Sequence, residues 1–262
     1  MSTQKDQTRP LRVMISAGAT GIGLAIAQAF AREGAHIHLC DVSQAAIDDV
    51  HNHLCGIHGA SVTDASDPDQ VAAWFDDALL MLGGLDVLVN NAGIAGPTAR
   101  IQDITPEQWD RTMAVNVRSQ YLCARLAVAP LRASGRGTMI NLSSVAGRLG
   151  YPMRTPYAAS KWAVVGLTES LALELGEDDI TVNALLPGIV DSERSRAVTA
   201  AKAAAKGVSV AEMEADILAH VALHRKVPLA DVAATALFLA SPAGRSFTGQ
   251  RFNVCAGIQT LL

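Results

Sequence analysis

Tyr157 and Lys161 stand four residues apart in a run from Pro156 to Leu175 whose apolar spacing predicts a helix closed by Gly176, so their side chains share one face. Tyrosine is ordinarily a poor base at neutral pH, with a pKa of about 10. An ammonium beside it stabilises the phenolate, which is the tuning a general base for a carbinol proton requires. Alone, the pair equally suits an ordinary surface contact. A second segment, Ser16-Ala17-Gly18-Ala19-Thr20-Gly21-Ile22-Gly23, separates a strand candidate from a helical run. Glycines there permit a tight turn and bring bare backbone to a diphosphate at a helix N-terminus. Asp41 closes the next strand candidate, 18 residues beyond Gly23, the distance expected of a carboxylate that accepts from ribose hydroxyls. That carboxylate opposes a 2′-phosphate, and neither Val42 nor the turn supplies a cation to offset it. NAD is therefore expected over NADP.

The elements that must position these groups alternate along the chain. Strand candidates fall at Leu11–Ser16, His36–Cys40, a weak stretch before Asp64, Leu85–Val89, Thr138–Leu142, Ile180–Leu186 and Arg251–Val254. Helical runs fall at Leu24–Arg32, Gln44–Leu54, Pro68–Leu82, Pro106 to about Arg132 and Pro156–Leu175, with a last one capped by Asp231 and running to Ala240. Strands alternating with helices predict βαβ units, hence an α/β, doubly wound parallel sheet of the Rossmann kind in three layers. Length and the absence of a linker predict one catalytic domain over 1–262, with a mobile arm at 1–10 and an alanine- and charge-rich helical lid over the active site at 191–225.

Composition narrows the function classes. Lys plus Arg number 21 against 25 Asp plus Glu, a net charge of −4 with no long basic block, which speaks against nucleic-acid binding. No apolar run of about 18 residues predicts a membrane span. Cys40, Cys55, Cys123 and Cys255 lie far apart, without a Cys-x-x-Cys pair, and the N-terminus has no signal-peptide pattern, so reduced thiols in a cytoplasmic protein are expected. His36, His38, His51, His53 and His58 cluster in sequence. Their spacing does not converge on one point and no acidic partner is evident, so no metal is expected.

The order of glycine-rich turn, Asn90-Asn91-Ala92-Gly93, Ser144, Tyr157-Ala158-Ala159-Ser160-Lys161 and Pro187-Gly188 resembles the short-chain dehydrogenase/reductase family from Val13 to Gly257. The resemblance implies that Tyr157 is the general acid/base and that Lys161 holds the nicotinamide ribose. Ser144, with Ser143 the lesser candidate beside it, would bind the substrate oxygen. Asn116 would hold a water in the proton relay, or serve as a kink-satisfying amide. In oxidation the carbinol proton would pass to Tyr157 and its hydride to C4 of NAD. The cofactor would rest on Ser16, Gly18, Thr20, Gly21, Ile22, Gly23 and Asp41. Asp64 and Ala65 would meet adenine, Asn91, Ala92 and Gly93 the adenosine ribose, and Pro187, Gly188, Val190 and Ser192 the carboxamide. Two departures stand out: Ser16-Ala17 replaces the family's Thr-Gly, and Val254-Cys255-Ala256-Gly257 replaces its Val-Asp-Gly-Gly.

The pocket-lining position three residues before Tyr157 is Arg154, and Arg194 and Arg196 open the lid. Arginine suits carboxylate, phosphate or sulfonate, so the expected small-molecule substrate is polar and anionic, a hydroxy acid or sugar derivative. The alternative is arginines paired with Glu193 or facing water. Two other functions fit the pattern less well: a non-catalytic NAD-sensing protein, and an NADP-dependent 3-oxoacyl reductase. The long helices at Pro106–Arg132 and Pro156–Leu175 resemble the family's subunit faces and imply a homo-oligomer, a dimer or homotetramer.

Overall fold

A computed structural model describes residues 9–53 and 56–262, with the side chains of 51–53 left out. The expected arm up to residue 8, Cys55, and the side chains of His51 and His53 lie outside the described residues.

Seven strands form one sheet in the order β3-β2-β1-β4-β5-β6-β7. They are β1 (Arg12–Ser16), β2 (His36–Asp41), β3 (Ile57–Val62), β4 (Val87–Asn90), β5 (Thr138–Leu142), β6 (Thr181–Pro187) and β7 (Arg251–Val254). Every pairing is parallel, with Val13 opposite Val87, Val87 opposite Thr138 and Thr138 opposite Thr181. β4, β5 and β6 are buried throughout, as continuous apolar strands covered on both faces must be. The winding reverses between β1 and β4, which opens a crevice at the carboxyl ends of those strands.

Strand residues alternate between two cores. Val13, Ile15, Leu39, Val89 and Ile140 pack with Ile26 and Phe30 of α1 (Gly21–Arg32), Ile47 of α2 (Gln44–His53) and Val232 and Leu239 of the helix Leu229–Ala240. Met14, Leu88, Met139 and Val182 turn the other way, onto Trp74 and Phe75 of α3 (Pro68–Leu82) and onto Leu131 and Ala172. Helices on both faces complete the three expected layers.

The structure redraws several boundaries. The single long helix expected from Pro106 is α4 (Pro106–Met113), a π-helical turn at Ala114–Arg118 and α5 (Ser119–Ser134). Helix α6 spans Thr155–Glu174, and the left-handed residue beyond it is Asp179 (φ 54°), not Gly176. The segment expected as a lid forms two helices, α7 (Glu193–Lys206) and α8 (Val210–Ala219), because Gly207 at φ 70° ends the first and Ser209 caps the second. In α9 (Leu229–Ala240) the cap position is Pro228, and Asp231 lies in the first turn instead of capping it. Strand β4 starts at Val87, since buried Asp86 accepts hydrogen bonds from Arg9, Arg12 and Arg136. Burial would raise that carboxyl's pKa; the Arg12, Arg9 and Arg136 donors outweigh it and hold the group well below the usual range.

Candidate active site

The turn from β1 into α1 is held from three sides. Gly18 N–H donates to the Cys40 carbonyl at 2.8 Å. Asn91 Nδ2 donates to the carbonyls of Ser16 (3.2 Å) and Ala17 (2.8 Å), while Ser16 Oγ accepts from the amides of Asn91 and Ala92. This packing excludes a side chain at Gly23, whose Cβ would meet the Ala17 carbonyl and lie 2.6 Å from Asn91 Nδ2. Ala17 itself takes φ 49°, the left-handed region that glycine occupies without strain. Thr20 gives α1 no side-chain cap and the first turn contains no acid, so the helix N-terminus retains amide donors of the kind that receive a diphosphate. Asp41, 7% exposed, accepts from Ala19 N–H and Ser43 N–H, each at 3.2 Å, and has no cationic partner among the described residues. These features fit a dinucleotide.

Asp64 is more committed than expected. Its carboxylate accepts from Ser66 N–H and Oγ and pairs with Arg111 at 3.2 Å. Partial burial would raise its pKa, but the Ser66 hydrogen bonds and Arg111 lower it overall. Neither Asp64 nor Ala65 lines the central cleft.

The cleft brings together Ser144, Tyr157 and Lys161 with Ile22 and Asn91 on one side and Pro187, Gly188, Val190 and Ser192 on the other. Lys161 is 4% exposed; its Nζ donates to the Leu142 carbonyl at 2.8 Å and lies 5.7 Å from the Tyr157 ring centroid. Burial, with a smaller contribution from Arg194, pushes its pKa down to about 7. Ser143 Oγ donates to the Lys161 carbonyl at 2.8 Å, whereas Ser144 begins the short helical turn Val145–Gly147 and accepts from Ala146 N–H at 3.2 Å. Gly147 lets that turn approach α6: a Cβ there would lie 2.5 Å from Ser143 Oγ and 2.7 Å from the Lys161 carbonyl.

Asn116 lies behind this group, inside the π-helical turn, and is fully buried. Its Nδ2 donates to the Ile94 carbonyl and Ser160 Oγ, and its Oδ1 accepts from Ile94 N–H. Both amide protons are thus spent on fixing the loop after β4 against α6.

Ser192 caps α7 by accepting from Ser195 N–H. Gly188 donates to the Val254 carbonyl and packs so closely on Cys255 that a Cβ would lie 2.8 Å from its Cα. The departure at Val254–Gly257 therefore supports the wall of the cleft. Arg154 is 2% exposed and lies between two aromatic rings, 5.2 Å from the Tyr151 centroid and 5.1 Å from that of Tyr157. Its Nη2 donates to the Ala95 carbonyl at 2.6 Å, while Nε and Nη1 are buried without a partner among the described residues. Met153, just before it, is held at φ 60°. Arg194 lines the cleft, but Arg196 pairs with Asp191 at 3.1 Å and does not line it. The pairing partner is Asp191, not Glu193.

Tyr151, Ser195, Thr199 and Ile217 also line the cleft. Tyr151 lies in the loop before α6, and the others lie on α7 and α8, whose facing side only tertiary packing decides. Elsewhere, His36 stacks on His58 at 4.0 Å, and His38 is buried between Trp74 Nε1 and Asp77. Among the described residues no group of three or more His, Cys, Asp or Glu could hold a metal ion, and no helix is long and apolar enough to cross a membrane.

A family model described as enoyl-(acyl carrier protein) reductase matches residues 17–259. A probable galactose dehydrogenase of Rhizobium meliloti (strain 1021) is 32% identical over 261 residues, covering 98% of each chain. The crystal structure of an actinorhodin polyketide ketoreductase with NADPH matches with a TM-score of 0.91 at 29% identity, covering 98% of each chain. That of an NAD+-bound xylitol dehydrogenase matches with a TM-score of 0.89 at 25% identity, covering 94% of this chain and 97% of that one.

Proposed function

The chain belongs to the short-chain dehydrogenase/reductase family, and from that premise we propose that it moves a hydride between NAD(H) and a secondary alcohol or carbonyl of a small anionic substrate, a hydroxy acid or sugar derivative. One observation carries the substrate class: the charged side chains lining the cleft are Arg154, Lys161 and Arg194, with no Asp or Glu among them. Asp41, without a cation beside it, supports NAD over NADP; solved structures similar to this chain carry either cofactor.

The cofactor, when bound, accepts or supplies the hydride. Gly18, Thr20, Gly21, Ile22 and Gly23 would present backbone to it, Asp41 would receive ribose hydroxyls, and Pro187, Gly188, Val190 and Ser192 would hold its nicotinamide end. In oxidation Tyr157 Oη takes the carbinol proton while Ser144 holds the substrate oxygen. The buried ammonium of Lys161 stabilises the phenolate, and Ser143 and Asn116 fix the backbone on either side of it. The molecule works as one catalytic domain with α7 and α8 as its lid. Exposed Tyr121, Trp162 and Leu173 on α5 and α6 support assembly into a dimer or tetramer, and free Cys40, Cys123 and Cys255 support a cytoplasmic setting.

Absorbance at the reduced-nicotinamide band, followed over a panel of hydroxy acids, sugar acids and polyols with NAD and NADP in parallel, tests this. The expected result is turnover with NAD on an anionic alcohol, reduced by about 10²–10⁴-fold in Tyr157→Phe. NAD binding without turnover on any alcohol would favour a sensor, and a preference for neutral polyols would remove the anionic class.

A further inference from the structure

Lys202 lies on lid helix α7, 4% exposed, and forms no hydrogen bond or ion pair among the described residues. Its Nζ rests 4.1 Å from the Tyr151 ring centroid, and the Arg154 guanidinium lies 5.2 Å from the same ring. Two buried cations thus flank one aromatic side chain, and Arg154 has two further donors, Nε and Nη1, without partners among the described residues. A ring face returns only part of what an ammonium loses on leaving water. A small cavity beside Lys202 shares Tyr151, Ile189, Ile217 and Leu261 with the main cleft, and no Asp or Glu side chain lines either space. Leu262 also lines the small cavity but forms no ion pair with Lys202 or Arg154, so the two cations have no counter-charge among the described residues. Burial and the nearby Arg154 and Lys206 also lower the Lys202 pKa to about 7, as expected of an ammonium without an anion.

We propose that Arg154 and Lys202 form a single anion subsite, one arm on the loop before α6 and the other on the lid, which takes the carboxylate of a hydroxy-acid substrate and draws α7 onto the cleft. This rests on the anionic-substrate reading above and adds its second binding residue. The cavity beside Lys202, about 10 Å³, has room for about one water. The carboxylate therefore enters as the Tyr151 ring swings away on its loop. Because Arg154 also packs on the Tyr157 ring, 5.1 Å from its centroid, the bound carboxylate lies beside the reacting carbinol.

Malonate tests the subsite without turnover, since it offers carboxylates and no carbinol to oxidise. Calorimetry on the NAD-loaded protein should show saturable malonate binding, weaker by about tenfold or more in Lys202→Met and largely kept in Lys202→Arg. Without malonate, Lys202→Met should melt above the wild type, because a buried unpaired charge has been removed; saturating malonate should reverse that order. Equal affinity in wild type and Lys202→Met, or no saturable binding to wild type, overturns the proposal. Malonate binding that survives while every alcohol fails would sink the hydride-transfer reading and leave the subsite standing.

Discussion

Ser143 Oγ donates to the Lys161 carbonyl across 2.8 Å, and this bond separates the roles of two adjacent serines. With its proton committed to α6, Ser143 is the serine tied to Lys161, and Ser144 is the one available for the proposed contact with the substrate oxygen. Ser144→Ala should lower kcat by about 10²–10³-fold, as expected for loss of a donor aimed at developing charge. Its stability loss should not exceed about 1 kcal/mol, that of the bond its oxygen accepts from Ala146 N–H. Ser143→Ala should keep most of the turnover while destabilising by about 1 kcal/mol through loss of a buried hydrogen bond. Paired kinetics and urea unfolding read both. If Ser143→Ala proves the more damaging to kcat, the assignment is exchanged.

Ala17 is the point where this chain departs from the glycine of its family, and it pays in backbone strain at φ 49°. A left-handed conformation costs a non-glycine residue about 1–2 kcal/mol, against about 0.5–1 kcal/mol of extra chain entropy lost by glycine. Ala17→Gly should therefore stabilise by about 0.5–1 kcal/mol in urea titration. It should also tighten NAD, because the turn then adopts its shape at no steric cost. A loss of stability would mean that the Ala17 methyl packs usefully.

Much of this site was legible because its parts are local. The Tyr157–Lys161 spacing, the Gly21–Gly23 turn and the position of Asp41 need only helical geometry and a βαβ unit, and all three fall where the strands and helices require. What was not legible depends on chain segments that meet only in the fold. Nothing near Asn91 announces that its amide clamps the Ser16 and Ala17 carbonyls 75 and 74 residues away. Nothing near Asn116 in sequence shows that its amide protons meet the Ile94 carbonyl and Ser160 Oγ. Lys202 sits in a run of alanines and lysines that reads as a solvated helix face; its burial comes from the lid folding onto Tyr151. Arg196, which stands beside Arg194 in sequence, pairs with its neighbour Asp191 and stays outside the cleft.

Lys161 and Lys202 make stability depend on pH. Each has a folded pKa of about 7 against 10.5 as its ordinary value. Below about pH 7 both lysines are protonated in either state, and the full cost of burying charge is felt. Between about 7 and 10.5 the unfolded chain holds protons that the folded one has released, so stability rises with pH, by up to about 1.4 kcal/mol per unit for each lysine. Urea midpoints at pH 7, 8 and 9 should increase in the cofactor-free protein, and the increase should shrink in Lys202→Met, which retains only the Lys161 contribution. Parallel curves for the two proteins would show that Lys202 titrates outside this window.

Asp41 combines two tasks that one substitution can separate. Its carboxylate accepts from Ala19 N–H and Ser43 N–H, so it shapes the glycine turn as well as presenting negative charge to the cofactor's ribose. Truncation to alanine would disturb both. Asp41→Asn removes the charge and keeps one of the two acceptor oxygens, so either Ala19 N–H or Ser43 N–H loses its bond. A like charge facing a 2′-phosphate is worth about 1 kcal/mol in water at close range and more where solvent is partly excluded. The ratio of kcat/KM for NAD to that for NADP should therefore fall by about tenfold or more, chiefly through tighter NADP, while the melting temperature stays within a few degrees. If the ratio holds and stability collapses instead, Asp41 acts through the turn and does not select the cofactor.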